Sequence, residues 1–390
     1  MSTASSTASA AASSSILYVG LDVHKERIMI AVLPAGAATA TRVDQVANEP
    51  KVLKRYFARL AREGELRACY EASGAGYVLQ RLLREWGYSC EVIAPSLIPQ
   101  RAGHRRKHDR YDAKALARYY RSGELTPVRI PTEAEERARD LVRCRATFQR
   151  ELLRARHYVL KFLTRRGLRY TERKCHWTRA HHRWLEGLPR TGMLVDQDQV
   201  VFAEYLALLR YAEQRRDALD DQIETLALAP ALATAVAWLS CFRGINRQAA
   251  TVLATEIVDW RRFAKPTQLM AYLGLVPSED SSDETERRGP ITKAGNSHCR
   301  HVLVQAAWAY RHAPRVGTAL AHRQRGQPAV VITQAWKAQH RLHKLYQHLA
   351  YRKRPQVAVV AVARELVGFL WAALREGPLA EQGEAVPQVA

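Results

Sequence analysis

The sequence predicts an α/β domain with a mixed sheet, followed by a longer, mainly helical region. Two β-rich runs at 16–23 and 27–34 flank the short polar segment His24-Lys25-Glu26, and such a pattern predicts an antiparallel hairpin. Strand-like and helix-like segments then alternate as far as residue 121. After residue 131, apolar residues recur with helical spacing, and strand-like runs disappear.

The remaining elements of the first part follow from residue spacing. A third strand is predicted at 39–47, further strands at 66–71 and 89–94, and helices at 51–62, 77–86 and 109–121. The helix at 51–62 rests on the apolar positions Leu53, Tyr56, Phe57 and Leu60. Three antiparallel strands followed by alternating helices and strands indicate a mixed sheet of the ribonuclease H type.

The second part is predicted to begin with a helical hairpin. A long helix is expected from Pro131 to about Gly167, and a second one at 200–226. The apolar stripe predicted for the first helix consists of Leu141, Phe148, Leu152, Leu160 and Leu163. Between residues 143 and 174 there are eleven Lys and Arg residues but two acids, so the hairpin is expected to position two domains or to dimerise, and contacts to nucleic acid stay open.

The C-terminal region is predicted to contain two helices within 237–275, joined by a turn at 244–246 that could offer backbone N–H groups to a phosphate. Residues 277–296 are expected to form a polar loop, with helices resuming near His298. The predicted organisation is therefore a flexible tail at 1–15, an α/β domain at 16–125, a helical linker at 131–230, a C-terminal domain at 235–375 and a flexible tail at 376–390.

The charge balance indicates a nucleic-acid partner. The chain has 390 residues with 60 Lys and Arg against 38 Asp and Glu, a formal charge of +22, and a polyanion relieves the self-repulsion of such a surplus. No membrane association is expected, because the apolar run 357–374 is interrupted by Arg364 and Glu365 and reads as a helix packed on protein. Six cysteines without paired spacing are typical of reduced thiols, so a cytoplasmic, nucleoid-associated protein is expected.

Four carboxylates are placed where a metal site could form. Asp22 follows an apolar run, Glu71 ends a predicted strand, and Asp109 and Asp112 are spaced i and i+3 at a predicted helix start. If the first and fourth strands are neighbours, the four acids converge, and crowded carboxylates call for a hard cation such as Mg²⁺. The alternative for the aspartate pair is an N-cap and a residue that complements the helix dipole.

Two further patterns are weaker indications of a functional site. Cys175-His176 and His181-His182 match no usual spacing of zinc ligands, and no zinc site is expected. Trp177, Trp184 and Trp260 lie among basic residues and could stack on bases, although core or interface positions are favoured.

Several ordered motifs resemble those of the DEDD-type insertion-sequence transposases related to the Piv DNA invertase. They are YVGLDVHK at 18–25, YEASGAGY at 70–77, HDRYDA at 108–113, FRGINRQAATVLATEI at 242–257, RRFAKPTQLMAYLGLVPS at 261–278 and GPITKAGNSHCRHVLVQAAW at 289–308. The resemblance covers about residues 16–375. It implies a RuvC-like domain, a coiled-coil linker, a C-terminal transposase domain with a helix-hairpin-helix element, and excision and insertion of mobile DNA.

The resemblance also implies roles for individual residues. Asp22, Glu71, Asp109 and Asp112 correspond to the metal ligands, and Ser282 aligns best with an essential serine, with Ser281 in reserve because Asp283 stands where glycine is usual. Nearby cations could neutralise phosphate, namely Arg101, Arg105, Arg106, Lys107, Arg110, Arg287, Arg288 and Lys293.

The resemblance thus implies strand cleavage and transfer on DNA by Mg²⁺ and a serine nucleophile, guided by a structured RNA of the element. The protein is expected to work as a homo-oligomer, a dimer or a tetramer. One alternative is a junction-resolving nuclease in which the four acids act alone. Another is a non-catalytic nucleic-acid-binding protein in which the acids cap helices and balance a basic surface.

Overall fold

The computed structural model describes residues 15–99, 109–282 and 285–375, with the backbone alone at 109–110, 279–282 and 285–288. The chain divides into two compact units at Pro131 and Thr132. In the first unit, five strands form one mixed sheet in the order β3-β2-β1-β4-β5. The strands are β1 (Ile16–Val23), β2 (Arg27–Pro34), β3 (Arg42–Ala47), β4 (Glu65–Glu71) and β5 (Ser89–Ile93), and the helices are α1 (Pro50–Leu60), α2 (Val78–Glu85) and α3 (Asp109–Arg121).

The sheet is covered by helices on both faces. Because side chains alternate along a strand, Ile28 and Ile30 of β2 pack with Phe57 of α1 on one face. Met29 and Ala31 pack with α3 on the other. β1 pairs with β2 antiparallel and with β4 parallel, which confirms the predicted hairpin and the predicted mixed sheet. The third strand is shorter than expected, since residues 35–41 form the turn that leads into it.

The second unit contains ten helices and a strand pair among its described residues. The helices are α4 (Glu133–Arg165), α5 (Arg179–Gly187), α6 (Gln197–Ala227), α7 (Pro230–Ser240), α8 (Arg247–Ile257), α9 (Pro266–Tyr272), α10 (Ser297–Ala307), α11 (Thr318–Gln324), α12 (Ala329–Ala350) and α13 (Pro355–Arg375). Between α9 and α10 lie β6 (Pro277–Ser282) and β7 (Thr285–Ile291).

α4 and α6 pack as a long antiparallel pair. Phe162 stacks on Phe202 with ring centroids 5.9 Å apart, and closer to the other end of α4 Arg145 binds Asp220 at 2.7 Å. The stripe predicted for α4 was partly wrong. Leu141, Phe148 and Leu160 are only half-buried, whereas the buried positions are Val142, Leu152, Ala155, Val159, Phe162 and Leu163.

Residues 277–282 and 285–291 form an antiparallel strand pair, so the predicted polar loop at 277–296 was wrong over most of its length. The polar composition of PSEDSS and TERRGPI obscured the strands in the sequence. Backbone pairing does not require apolar side chains, so two polar segments can form a strand pair.

α13 is a core helix, as predicted for the apolar C-terminal run. Its length and composition alone would allow it to cross a membrane, but half of its most apolar window is buried within the protein. Val362, Leu366 and Leu370 are fully buried in the same cluster as Leu303 of α10 and Leu342 of α12. All six cysteines are free thiols, in agreement with the prediction from their spacing.

Candidate active site

The parallel pairing of β1 with β4 sets Asp22 beside Glu71. Gly20 lies opposite Cys69 and Leu21 opposite Tyr70, and Asp22 and Glu71 are the next residues of the two strands. Both acids therefore lie at the edge of the sheet where β1 and β4 have their carboxyl-terminal ends. The condition stated from the sequence, that the first and fourth strands are neighbours, is met.

α3 brings the two aspartates toward the same edge. The ring of Tyr18 at the start of β1 contacts Tyr120 near the end of α3, with centroids 5.9 Å apart. Further along β1, Gly20 lies against the backbone of Ala113 and Ala117. α3 thus runs antiparallel to β1, and its first turn, with Asp109 and Asp112, lies toward the end of the strand that carries Asp22.

Glycine at position 20 permits this contact. A Cβ added at Gly20 would lie 2.1 Å from the carbonyl oxygen of Ala113 and 2.6 Å from the amide nitrogen of Ala117. Both are backbone atoms of a helix, so they cannot move aside without moving α3. The Gly-Leu-Asp sequence of β1 therefore combines a close approach of α3 with the first acid of the site.

Asp22 is not a deeply buried charge, although it follows an apolar run in the sequence. Its side chain is 23% exposed, and Oδ2 lies 3.1 Å from Nε2 of His24. Position 22 comes one residue before the end of β1, where the strand leaves the core. The apolar run predicted the strand correctly but could not locate its edge.

Two more of the four candidate acids have a described side chain, and both are open to solvent. Glu71 and Asp112 are exposed, and neither forms an ion pair with a described residue. Exposed carboxylate oxygens at one sheet edge are donors that suit Mg²⁺. Among the described side chains no three His, Cys, Asp or Glu residues are close enough to hold a metal ion. The side chain of Asp109, the first residue of α3, lies outside that description.

The predicted phosphate-binding cations are only partly described. Arg101, Arg105, Arg106 and Lys107 lie outside the described residues, and the backbone alone is described for Arg110, Arg287 and Arg288. Lys293 is exposed and has a positive φ of 56°, which places it in the left-handed region two residues beyond β7.

The predicted serine lies at the end of a strand, in the second unit. Ser282 is the last residue of β6 and pairs with Thr285 of β7, while Ser281 pairs with Glu286. The root of this hairpin is fixed by backbone hydrogen bonds from Thr292 to Val276, 2.9 Å, and from Lys293 to Gly274, 3.1 Å.

Comparisons with known proteins match both units. Residues 19–166 match a family model of DEDD transposases of the IS110 type, and residues 237–321 match the transposase family IS116/IS110/IS902. A putative transposase of Sinorhizobium fredii is 40% identical over 92% of this chain and 88% of its own length. The chain belongs to the IS116/IS110/IS902 family of transposases.

Two further relatives of this transposase family are similar over most of the chain. The transposase for insertion sequence element IS1533 of Leptospira borgpetersenii is 31% identical and covers 87% of this chain and 98% of the relative. A probable family 20 transposase of Pseudomonas aeruginosa is 27% identical over 78% of this chain and 82% of the relative.

The transposase also contains a buried acid that sequence reasoning missed. Glu256 of α8 is 1% exposed and accepts two hydrogen bonds from Arg143 of α4, at 2.7 and 2.9 Å. Asn296 donates a third at 2.7 Å, and its side-chain oxygen accepts from the amide of Cys299, which caps α10. The only signal in the sequence was an acid within the apolar run ATVLATEI, since the partners are 113 and 40 residues away.

This network determines the ionisation of Glu256. Burial by itself raises the pKa of the carboxyl, but the hydrogen bonds and charge of Arg143, the hydrogen bond from Asn296 and the charge of Arg139 together outweigh it. They hold the pKa of Glu256 below its ordinary value. Glu256 is therefore a carboxylate that ties α4 and α8 to the segment between β7 and α10.

The same segment is held against α9 by Arg300, whose guanidinium donates to the carbonyls of Leu273 and Ala294 at 2.8 and 3.0 Å. Gly274 and Gly295 have positive φ, and a Cβ at either would lie about 2 Å from a backbone carbonyl oxygen, at 2.1 and 2.0 Å. The glycines of LGLVP and KAGN thus allow the two ends of the strand hairpin to approach.

The histidines near residue 180 form an aromatic cluster. Among the described residues, they belong to no group of three His, Cys, Asp or Glu side chains that could hold a metal ion. His181 is fully buried, its Nδ1 accepts from the amide of Trp177 at 3.1 Å, and its ring stacks on Trp184 at 5.7 Å. Burial, together with the neighbouring His176 and His182, lowers the pKa of His181 to about 4. Trp260 is 1% exposed, a core residue as favoured from the sequence.

Proposed function

We propose that this transposase cuts and rejoins DNA strands with the four acids Asp22, Glu71, Asp109 and Asp112 as ligands of Mg²⁺ and with Ser282 as nucleophile. The observation that carries the proposal is the convergence of β1, β4 and the first turn of α3 on one sheet edge, since it collects acids from three distant segments. Glu71 and Asp112 are exposed and form no ion pair with a described residue, so their carboxylates are available to a cation.

The four acids would hold the metal, and the chemistry that it supplies is neutralisation of charge on the phosphodiester in the transition state. The chain itself supplies the nucleophile and the positioning. Oγ of Ser282 forms a bond to phosphorus as one P–O bond to deoxyribose breaks, and the hydroxyl proton ends on the leaving oxygen. One phosphodiester replaces another, so rejoining needs no external energy source.

Excision of the element tests both roles. Asp22→Asn and Ser282→Ala are each expected to abolish excision while nucleic-acid binding is retained, and Ser281→Ala is the matched control that should excise normally. If Ser281→Ala abolishes excision and Ser282→Ala does not, the reserve serine is the nucleophile.

A junction-resolving nuclease is distinguished by the covalent intermediate. End-labelled DNA incubated with the wild-type protein and separated under denaturing conditions should migrate with the protein, and Ser282→Ala should remove that band. Cleavage by Ser282→Ala without any protein-linked DNA would contradict the serine mechanism and support hydrolysis by the acids alone. No specific Mg²⁺ binding and normal function after alanine substitution of all four acids would support a non-catalytic protein.

We also propose that a structured RNA of the element guides the protein and that the protein acts as a homo-oligomer. In this proposal α4 and α6 serve as a coiled-coil linker, and α7 and α8 form a helix-hairpin-helix element. The resemblance of the ordered motifs and the surplus of +22 support this part of the proposal. Purification with the non-coding flanks of the element should yield bound RNA, and deletion of those flanks should abolish excision without loss of protein.

A further inference from the structure

The outward face of α12 carries cations and aromatic rings but no carboxylate. Exposed residues recur along it at helical spacing, whereas Val331, Ala335, Ala338 and Leu342 on the opposite side are buried. We call this surface, together with the turn that follows α12, the α12 basic face; its residues are Trp336, Lys337, His340, Arg341, Lys344, His348, Tyr351, Arg352, Lys353 and Arg354.

The positive charge of this face is scarcely neutralised. Residues 287–364 contain fifteen Lys and Arg but no Asp or Glu. Within the described chain, Arg341 is the only cation of the face with a carboxylate in range, Glu365 at 2.6 Å. A helix C-terminus favours cations, which accounts for Arg352–Arg354 but not for Lys337 in the middle of the helix.

The long helix α4 shows the contrast. Its arginines also looked like a nucleic-acid surface in the sequence, but Arg145 and Arg156 bind Asp220 and Glu213 of α6 at 2.7 and 3.1 Å. Those cations hold two helices together. The cations of α12 have no such structural task, and a polyanion is the partner that fits them.

The aromatic residues identify the kind of polyanion. Tyr351 is 89% exposed and Trp336 is 42% exposed, with its ring edge-to-face to His340 at 4.5 Å. Residues 336 and 351 are about 22 Å apart along a helix that rises 1.5 Å per residue, on the same side as Lys344. Rings beside phosphate-binding cations stack on unpaired bases, whereas a duplex hides its base faces.

We propose that the α12 basic face binds an unpaired nucleic-acid strand, with phosphates at Lys337, Lys344 and Arg352 and bases stacked on Trp336 and Tyr351. The inference rests on the proposed function in that strand exchange exposes unpaired DNA. Binding itself needs neither the acids nor the serine, so it is tested with the Ser282→Ala protein in a metal chelator.

Fluorescence anisotropy with a 30-nucleotide dT strand measures binding as a function of salt. The full-length variant with Lys337→Gln, Lys344→Gln and Arg352→Gln should bind at least about tenfold more weakly at 0.1 M salt. The slope of log K against log salt should fall by about 2, because each phosphate contact on a single strand contributes about 0.7. The matched control, with Lys51→Gln, Arg55→Gln and Arg62→Gln on exposed positions of the first unit, should keep the wild-type slope.

The variant with Trp336→Ala and Tyr351→Ala separates stacking from charge. It should lose about tenfold in affinity for dT and for the equivalent U strand, with duplex affinity unchanged within about twofold. Since Trp336 and Tyr351 are exposed, the melting temperature should stay that of the wild type. The proposal would be overturned if the aromatic variant lost equal affinity for duplex and single strands, or if the two triple variants had equal salt slopes. It would also be overturned if the basic-face triple variant bound the dT strand like the wild type and lost affinity only for vesicles of anionic lipid.

Discussion

At the scale of single residues, the site depends on positions whose neighbours are far away in sequence. Gly20 is the clearest case, because the absence of a side chain lets α3 approach β1 and carry its aspartates to the sheet edge. Arg143 is a second case, because a half-exposed guanidinium stabilises a carboxylate that is almost completely buried. In both, a small chemical change should have a large effect.

Gly20→Ala is expected to abolish excision and to lower the free energy of unfolding by about 1–3 kcal/mol. The added methyl group would overlap helix backbone at 2.1 Å, and such overpacking displaces the partner element. Urea denaturation and the excision assay measure the two effects. Gly36→Ala is the control, since nothing lies within 4 Å of a Cβ there. Wild-type excision by Gly20→Ala would show that the position of α3 is not critical.

Arg143→Met is expected to destabilise the protein by about 3–5 kcal/mol at neutral pH, because it leaves Glu256 buried with Asn296 as its remaining donor. Arg137→Met, which breaks an exposed pair with Glu133 on the same helix, should cost less than about 1 kcal/mol. The loss in free energy of unfolding caused by Arg143→Met should become smaller as the pH falls, since a protonated Glu256 no longer places a charge in the interior. Urea titrations at several pH values measure both.

At the scale of elements, the structure combines strong local signals with junctions that local signals do not encode. α4 begins with a capping box between Thr132 and Glu135, a start that its sequence specifies. The segment between α4 and α6 is different, because its aromatic cluster encloses the neutral ring of His181. That ring should make the second unit sensitive to acid.

His181 should reduce stability as the pH falls from about 6.5 to 4. In the unfolded chain the pKa returns to about 6.5, whereas burial holds the pKa of His181 at about 4 in the folded protein. Between these values the unfolded state binds more protons, so the free energy of unfolding rises with pH by up to about 1.4 kcal/mol per unit. His181→Asn should flatten that dependence in thermal melts across the window, and the exposed His157→Gln should not. Parallel curves for wild type and His181→Asn would contradict the assignment.

At the scale of the whole molecule, a surplus of +22 separates binding from chemistry. Basic surface binds polyanions without a metal, whereas the carboxylates of the sheet edge repel phosphate until a cation neutralises them. The two steps should therefore respond differently to metal and to salt. Membership of the transposase family is consistent with separate surfaces for nucleic-acid binding and for strand cleavage.

Removal of divalent metal is expected to abolish strand cleavage while leaving DNA binding within about twofold of its original affinity. Mg²⁺ added back should restore cleavage. Glu71→Gln should raise the Mg²⁺ concentration needed for half-maximal cleavage by about tenfold or more, because one of the proposed ligands loses its charge. Cleavage and gel-shift assays on the same protein sample measure the two steps. Cleavage that persists in a chelator would show that the acids do not act through a metal.

The sequence by itself determined the elements of the first unit, the reduced thiols, the core character of α13 and the family, because these depend on periodicity, composition and ordered motifs that are local in the chain. It also indicated Asp22 and Glu71, since each is an acid that follows an apolar run near the end of a strand. The β6–β7 hairpin escaped notice because its strands are polar, and the stripe of α4 was misassigned because several registers of apolar residues fit one helix.

Only the tertiary structure decided which charges are structural and which are free. Basic residues of α4 and of the α12 basic face look alike in the sequence, yet Arg145 and Arg156 bind acids of α6, whereas Lys337, Lys344 and Arg352 face solvent. The buried Glu256 and the approach of α3 to Gly20 likewise follow from contacts across many intervening residues. Electrostatic and steric energies depend on distances in space, whereas the sequence gives only the separation of residues along the chain.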